Sequence, residues 1–143
     1  MATEVIEELA PTIAEKDIAL SLNHDTPALF VWGHEVALTA MFRNLIENAL
    51  RYTGQSGQVD VSIRRGGDEA VIDICDNGPG IPAERRQAVF QRFHREVESA
   101  TRGYGLGLSI VQRAIELHGA RIGLLESPLG RGLLVRIHMP AGA

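Results

Sequence analysis

Asn44-Leu45-Ile46-Glu47-Asn48-Ala49-Leu50-Arg51-Tyr52-Thr53 decides how the rest of this chain is read. It ends a longer periodic stretch, residues 35–52. There Leu38, Met41, Phe42, Leu45, Ile46, Ala49 and Leu50 recur at the spacing of a buried helical face. On a helix turning about 100° per residue, Asn44, Asn48 and Arg51 fall within an arc of roughly 60°. They form a polar stripe beside the apolar face. Isolated asparagines usually meet water or cap a turn. A pair one turn apart, with an arginine next on the same line, points further. An amide oxygen is a neutral, hard ligand suited to Mg²⁺. A neutral ligand makes sense where phosphates bring the negative charge, and Arg51 supplies a cation to those phosphates. Tyr52 offers a ring to stack on a base, with core packing as its plainer use.

Outward from this helix the elements follow in order. Residues 3–15 read as a helix with Val5, Ile6, Leu9 and Ile13 on one face. Ile18, Leu20 and Leu22 alternate as in a strand, and Leu29-Phe30-Val31-Trp32 is a second short strand ended by Gly33. After the loop at 53–57 come Val59, Val61 and Ile63, a break at Gly66-Gly67, and Val71–Cys75, which together predict a hairpin. A short helix is expected after Pro82. Residues 94–105 carry no period and are expected to form a mobile loop. Leu106–His118 is predicted as a second long helix stopped by Gly119. Residues 121–126 and 133–139 close the chain as strands. Mixed strands and helices give a two-layer α/β sandwich.

Glycine-rich loops follow the asparagine helix. Asp76-Asn77-Gly78-Pro79-Gly80-Ile81-Pro82 comes directly after a strand. Such residues commonly mark only a turn. Here glycines and prolines together fix a backbone that a flat ligand can approach. A carboxylate at its start can accept a hydrogen bond from an exocyclic amine such as that of adenine. Gly103-Tyr104-Gly105-Leu106-Gly107-Leu108 runs straight into the next helix. Alternating glycines allow a nest of N–H groups for an anion, and the helix start adds positive charge. Other nucleotide sites do not fit. A Gly-x₄-Gly-Lys-Ser/Thr loop is absent, the glycines at 103–107 lack the dinucleotide spacing, and the His-Arg-Asp and Asp-Phe-Gly signatures are missing.

Bulk composition sets the frame. With 143 residues, 45% hydrophobic and 22% charged, the chain has the means for one globular core. A net charge of −4 favours neither nucleic acid nor an anionic membrane as partner. One cysteine, Cys75, excludes a disulfide framework and makes a reducing compartment the default. No apolar run is long enough to cross a bilayer, and the acidic start is unlike a signal peptide.

The segments 44–53, 76–82, Phe90-Gln91-Arg92-Phe93-His94-Arg95 and 103–111, in that order, resemble the catalytic ATP-binding domain of bacterial sensor histidine kinases. Gly130-Arg131-Gly132-Leu133 is similar to that family's last glycine box. The resemblance covers roughly residues 17–139. It implies a Bergerat fold, a mixed and mostly antiparallel sheet of about five strands with three helices on one face. It implies that Asn48 holds Mg²⁺, Asn44 supports the metal or phosphates, Arg51 contacts phosphate and Tyr52 packs on the nucleotide. Asp76 would bind the adenine amino group, with Gly78, Gly80 and Ile81 shaping that pocket. Phe93 and Arg95 would belong to a lid, and Gly103, Tyr104, Gly105, Leu106, Gly107 and Leu108 would line the triphosphate. Departures occur at Tyr104, where the family has a small residue, and at Leu133, where it has threonine. The segment between Phe93 and Gly103 is also short for the family.

The resemblance further implies a cytoplasmic piece of a membrane-anchored sensor. Residues 1–16 would be a linker helix from a dimerisation domain outside this chain, and 17–143 the catalytic domain. The γ-phosphoryl group of ATP would pass to a histidine of that dimerisation domain and then to a response regulator. His34-Glu35-Val36 superficially resembles the phosphoacceptor motif, but lacks its proline and sits about three turns before Asn44 on the same helix. An ATP-hydrolysing relative would place a glutamate where this chain has Asn44, which cannot take a proton. Glu47 lies elsewhere on the helix and is a poor substitute. A stand-alone anti-sigma serine kinase is the remaining enzymatic alternative, and a degenerate binding module the non-enzymatic one.

Overall fold

The computed structural model describes residues 2–24, 35–78 and 103–140. Its elements are α1 (Ala2–Glu8), α2 (Ala10–Glu15), β1 (Ala19–His24), α3 (Glu35–Tyr52), β2 (Gln58–Gly66), β3 (Glu69–Asp76), α4 (Gly103–Leu117), β4 (Arg121–Glu126) and β5 (Leu133–Pro140). The strands form one sheet in the order β1-β2-β3-β5-β4. Among the described strands only β1 and β2 run parallel; the other pairs are antiparallel. The mixed, two-layer sandwich is therefore present. The expected strand at 29–32 and the helix after Pro82 lie outside the described residues.

α3 forms for the reason its sequence gives. All seven apolar positions of its stripe are buried, from Leu38 to Leu50. They join Val59 and Val61 of β2, Ile72 and Ile74 of β3, and Ile137 and Met139 of β5 in one core. Val111, Ala114 and Ile115 bring α4 into the same core beside α3. Each buried aliphatic side chain contributes about 1.5–3 kcal/mol. The helices thus cover one sheet face. On the other, Arg136 binds Asp73 directly across β3 and β5 through two hydrogen bonds, 2.8 and 2.9 Å. Cys75 lies on that second face. Burial first, then the carboxylates of Asp73, Asp60 and Asp76, push its thiol up to about 11, so it stays protonated at neutral pH.

The expected single helix at 3–15 is instead a pair. Leu9 interrupts it, and Pro11 stands in the first turn of α2. Proline has no N–H to bond back to the preceding turn and its ring clashes there, so the first helix stops. Val5 is nevertheless fully buried in the core, and Ile6, Leu9 and Ile13 pack against it. The second difference concerns α4, which begins at Gly103 rather than Leu106. Glycine disfavours helix by about 1 kcal/mol per residue. Val111, Ala114 and Ile115 bury one face of the same helix, and tertiary packing of that kind outweighs propensity. Its end follows the sequence: Gly119 has φ +61°, and the amides of Gly119 and Ala120 bond Glu116 and Ile115 carbonyls in a Schellman closure. No helix among the described residues is long and apolar enough to cross a membrane.

Candidate functional site

The polar stripe of α3 is the first component. Asn44, Asn48 and Arg51 all lie within the helix, and each step along it rises about 1.5 Å per residue. Asn44 is half-buried and its Nδ2 donates to the Ala40 carbonyl at 2.7 Å. That bond orients the amide. Asn48 is half-buried one turn further on, and its side chain makes no hydrogen bond to any described residue. Arg51 is exposed in the last turn. The donor set fits Mg²⁺. One amide oxygen leaves most of the shell to phosphate oxygens and water, which this ion prefers. Among the described residues no cluster of three His, Cys, Asp or Glu gathers to hold a metal by protein ligands alone.

The second component is the end of β3. Asp76 is 5% exposed. Its Oδ1 accepts the Gly78 N–H at 2.9 Å and the Leu133 N–H at 3.2 Å. Burial raises its carboxyl above the ordinary value of 3.8, against the downward pull of those two backbone donors. Among the described residues no donor meets Oδ2. A buried carboxylate with one oxygen committed and the other open suits a ligand amine. Gly132 makes this arrangement possible. It adopts φ +107°, and a Cβ there would collide with the Asp76 backbone and lie 2.8 Å from Oδ1. Leu133 contributes a backbone N–H, which every residue but proline has, so the absent threonine does not cost this bond.

Neighbouring loops hold that corner. Arg131 Nε donates to the Asn77 and Gly78 carbonyls at 2.9 and 3.2 Å. Asn77 Oδ1 accepts the Gln58 N–H at 2.9 Å, and its own N–H reaches the Gln58 carbonyl. Gly57 fits between Thr53 and Asn77 with no room for a side chain. The loop after α3 therefore abuts the loop after β3, and the arginine end of the stripe shares a corner with Asp76.

The third component is the start of α4. The Gly103-Tyr104-Gly105 backbone is helical, which corrects the expected anion nest in a loop. A helix start offers N–H donors of a different kind. The first four N–H groups of a helix have no partner within it and carry its positive end. For Tyr52 and for Gly103, Tyr104, Gly105, Leu106, Gly107 and Leu108 the backbone alone is described. Gly80, Ile81, Phe93 and Arg95 lie outside the described residues. Sequence reasoning missed Arg131, Asn77 and Lys16, whose partners are distant in the chain. The Gly130-x-Gly132 pair before a strand was the available signal for the first.

Residues 33–143 match the family described as histidine kinase-, DNA gyrase B-, and HSP90-like ATPase. The sensor protein kinase PmrB of Pseudomonas aeruginosa is 44% identical over 141 residues, 98% of this chain and 29% of PmrB. The chain thus spans less than a third of that relative. Among solved structures, the mycobacterial sensor histidine kinase MprB is 30% identical with a TM-score of 0.78, covering 97% of this chain and 93% of that one. Full-length ShkA in complex with AMPPNP is 25% identical with a TM-score of 0.82, covering 99% of this chain and 29% of that one.

Proposed function

Because the chain belongs to the histidine kinase-, DNA gyrase B- and HSP90-like ATPase family, as the catalytic domain of a sensor histidine kinase, we propose how its residues are used. The domain binds Mg-ATP and transfers the γ-phosphoryl group to a histidine on a dimerisation domain outside this chain. A response regulator then receives it. On this reading 17–143 is the catalytic unit and 1–16 joins it to the dimerisation domain of a membrane-anchored kinase, on the cytoplasmic side. Asp76 accepts the adenine amino group, with Gly78, Gly80 and Ile81 around it. Asn48 binds the metal, Asn44 orients it or the phosphates, Arg51 neutralises phosphate charge, and the helix start at 103–108 presents N–H groups. Tyr52, Phe93 and Arg95 cover the nucleotide. Bound Mg²⁺ would neutralise charge on the transferring group. The protein contributes positioning and electrostatics, with no nucleophile of its own.

One observation favours transfer over hydrolysis. The residue one turn before Asn48 is Asn44, an amide fixed to its own helix, and an amide cannot take a proton from water. The decisive experiment mixes the chain with γ-labelled ATP and a separate histidine-bearing dimerisation domain. Label on the histidine is expected; steady phosphate release without label would overturn the reading. A second prediction concerns Asp76. Asp76→Asn is expected to weaken ATP by roughly 10–100-fold, the scale of a charge-assisted hydrogen bond, while barely changing free triphosphate. The amide replacing Oδ2 would set donor against donor. Equal losses for both ligands would remove the adenine contact.

The same carboxylate sets a pH dependence. ATP affinity is expected to fall as pH drops through the Asp76 pKa, at higher pH than an ordinary aspartate would give, because burial has raised it. Stability runs the other way in the nucleotide-free domain. A raised folded pKa stabilises the fold when protonated, and this contribution is lost as pH rises through that pKa. Asp76→Asn should therefore melt no lower than the parent at neutral pH while binding ATP worse, which calorimetry and titration would check.

A further inference from the structure

α3 ends on carbonyls that its own hydrogen bonds leave unmet, and on the negative pole of its dipole. A side chain from a distant segment meets them. Lys16 Nζ donates to the carbonyls of Leu50 at 2.6 Å, Arg51 at 3.3 Å and Thr53 at 3.0 Å. An ammonium has three donors, and here three carbonyls receive them. Lys16 itself is held firmly. It caps α2, where Asp17 takes φ +52° and the amides of Asp17 and Ile18 close on Ala14 and Ile13 carbonyls. Its own carbonyl accepts the Ser56 N–H at 2.8 Å. Ser56 Oγ also bonds Asp17 Oδ2 at 3.2 Å. The segment before β1 and the loop after α3 are thus clasped on both sides of the lysine.

We propose that Lys16 is a positioning residue for the metal and phosphate stripe, fixing the last turn of α3 so that Asn48 and Arg51 are presented together. This rests on the function proposed above for that stripe. Lys16 touches no substrate; it acts through the carbonyl of Leu50, next to Arg51 and two residues from Asn48, and through the carbonyl of Arg51 itself. The same clasp gives any shift of α1 and α2 a direct hold on the phosphate end of the site.

The test uses the whole chain with Lys16→Met, which keeps the stem and removes the donors, and Lys16→Arg, which keeps the charge. The Mg²⁺ concentration for half-maximal ATP binding is measured, and so is the rate of transfer to a separate histidine-bearing dimerisation domain at saturating Mg-ATP. Lys16→Met is expected to raise the first and lower the second by about tenfold each, and Lys16→Arg to recover most of both. Glu8→Gln breaks another polar tie to α3, the exposed 2.6 Å pair with Arg43, and should leave both unchanged. A lowered melting point with unchanged Mg²⁺ requirement and rate would make Lys16 merely structural and overturn the proposal. If Lys16→Met does not fold, Lys16→Gln, which keeps an amide donor, is read by the same criteria. Should the parent chain bind Mg-ATP but transfer nothing, the phosphotransfer reading fails while the Mg²⁺ requirement still decides the role of Lys16.

Discussion

Asn48→Ala is expected to lower phosphotransfer by at least about a hundredfold while leaving the fold intact. The side chain is half-buried on the polar stripe, beside but outside the apolar face. Its removal opens no core cavity, and alanine favours helix at this position. The melting temperature should stay within a few degrees of the parent, a stability change of about 1 kcal/mol or less. Mg²⁺ without a protein oxygen would ride on the nucleotide alone, and the phosphates would lose their register against Arg51. Isothermal titration with Mg-ATP and a transfer assay at saturating nucleotide separate binding from chemistry. Unchanged values in both would remove the metal from this residue. Asn48→Asp sharpens the assay: it returns an oxygen but adds a charge beside phosphates, so binding should recover less than simple ligation would give.

Gly132→Ala is the second large effect, and it is a loss of stability as well as of binding. The glycine has φ +107°, and an added Cβ would meet the Asp76 carbonyl group, which is backbone and cannot swing aside. Strain at such a conformation costs about 1–3 kcal/mol, and the collision adds to it by parting β5 from the end of β3. A total of about 3 kcal/mol or more, roughly 10 °C in melting temperature for a domain this size, is expected. The Leu133 bond to Asp76 would be lost with it, so ATP affinity falls too. Gly130 supplies the control. Its φ is +95°, but nothing lies within 4 Å of an added Cβ. Gly130→Ala should cost only the backbone strain and spare ATP binding. Equal melting points for the two variants would contradict the close approach at Gly132.

Much of the fold was legible because its signals are local. The seven buried positions of α3 recur every three or four residues, and the hairpin of β2 and β3 is written as alternation around Gly66-Gly67. Gly119 announced the end of α4. Two differences from the sequence expectation have different causes. Pro11 outweighs the continuous apolar face of residues 3–15, so two helices form where one is expected. At Gly103 the local signal pointed to a loop, and a helix forms whose later turns are packed into the core, which no window of sequence reveals. The stripe of Asn44, Asn48 and Arg51 was readable from spacing alone. Asp76 was readable as a possible amine acceptor closing a strand, and the structure supplied its surroundings.

The sequence by itself determined which residue types were available and on which elements: amides on a helix, a carboxylate closing a strand, glycines before a helix and before the last strand. Those follow from periods and dihedral preferences that span a few residues. Tertiary structure decided what each group faces. One of the two partners of Asp76 is the amide of Leu133, 57 residues away, and the clasp on α3 comes from Lys16, 34 residues from Leu50. Desolvation, close approach and the satisfaction of helix-end carbonyls depend on segments brought together only when the core forms. That is why the sequence could name Asp76 as an acceptor, while only the packed fold made it a buried one with an oxygen left to offer.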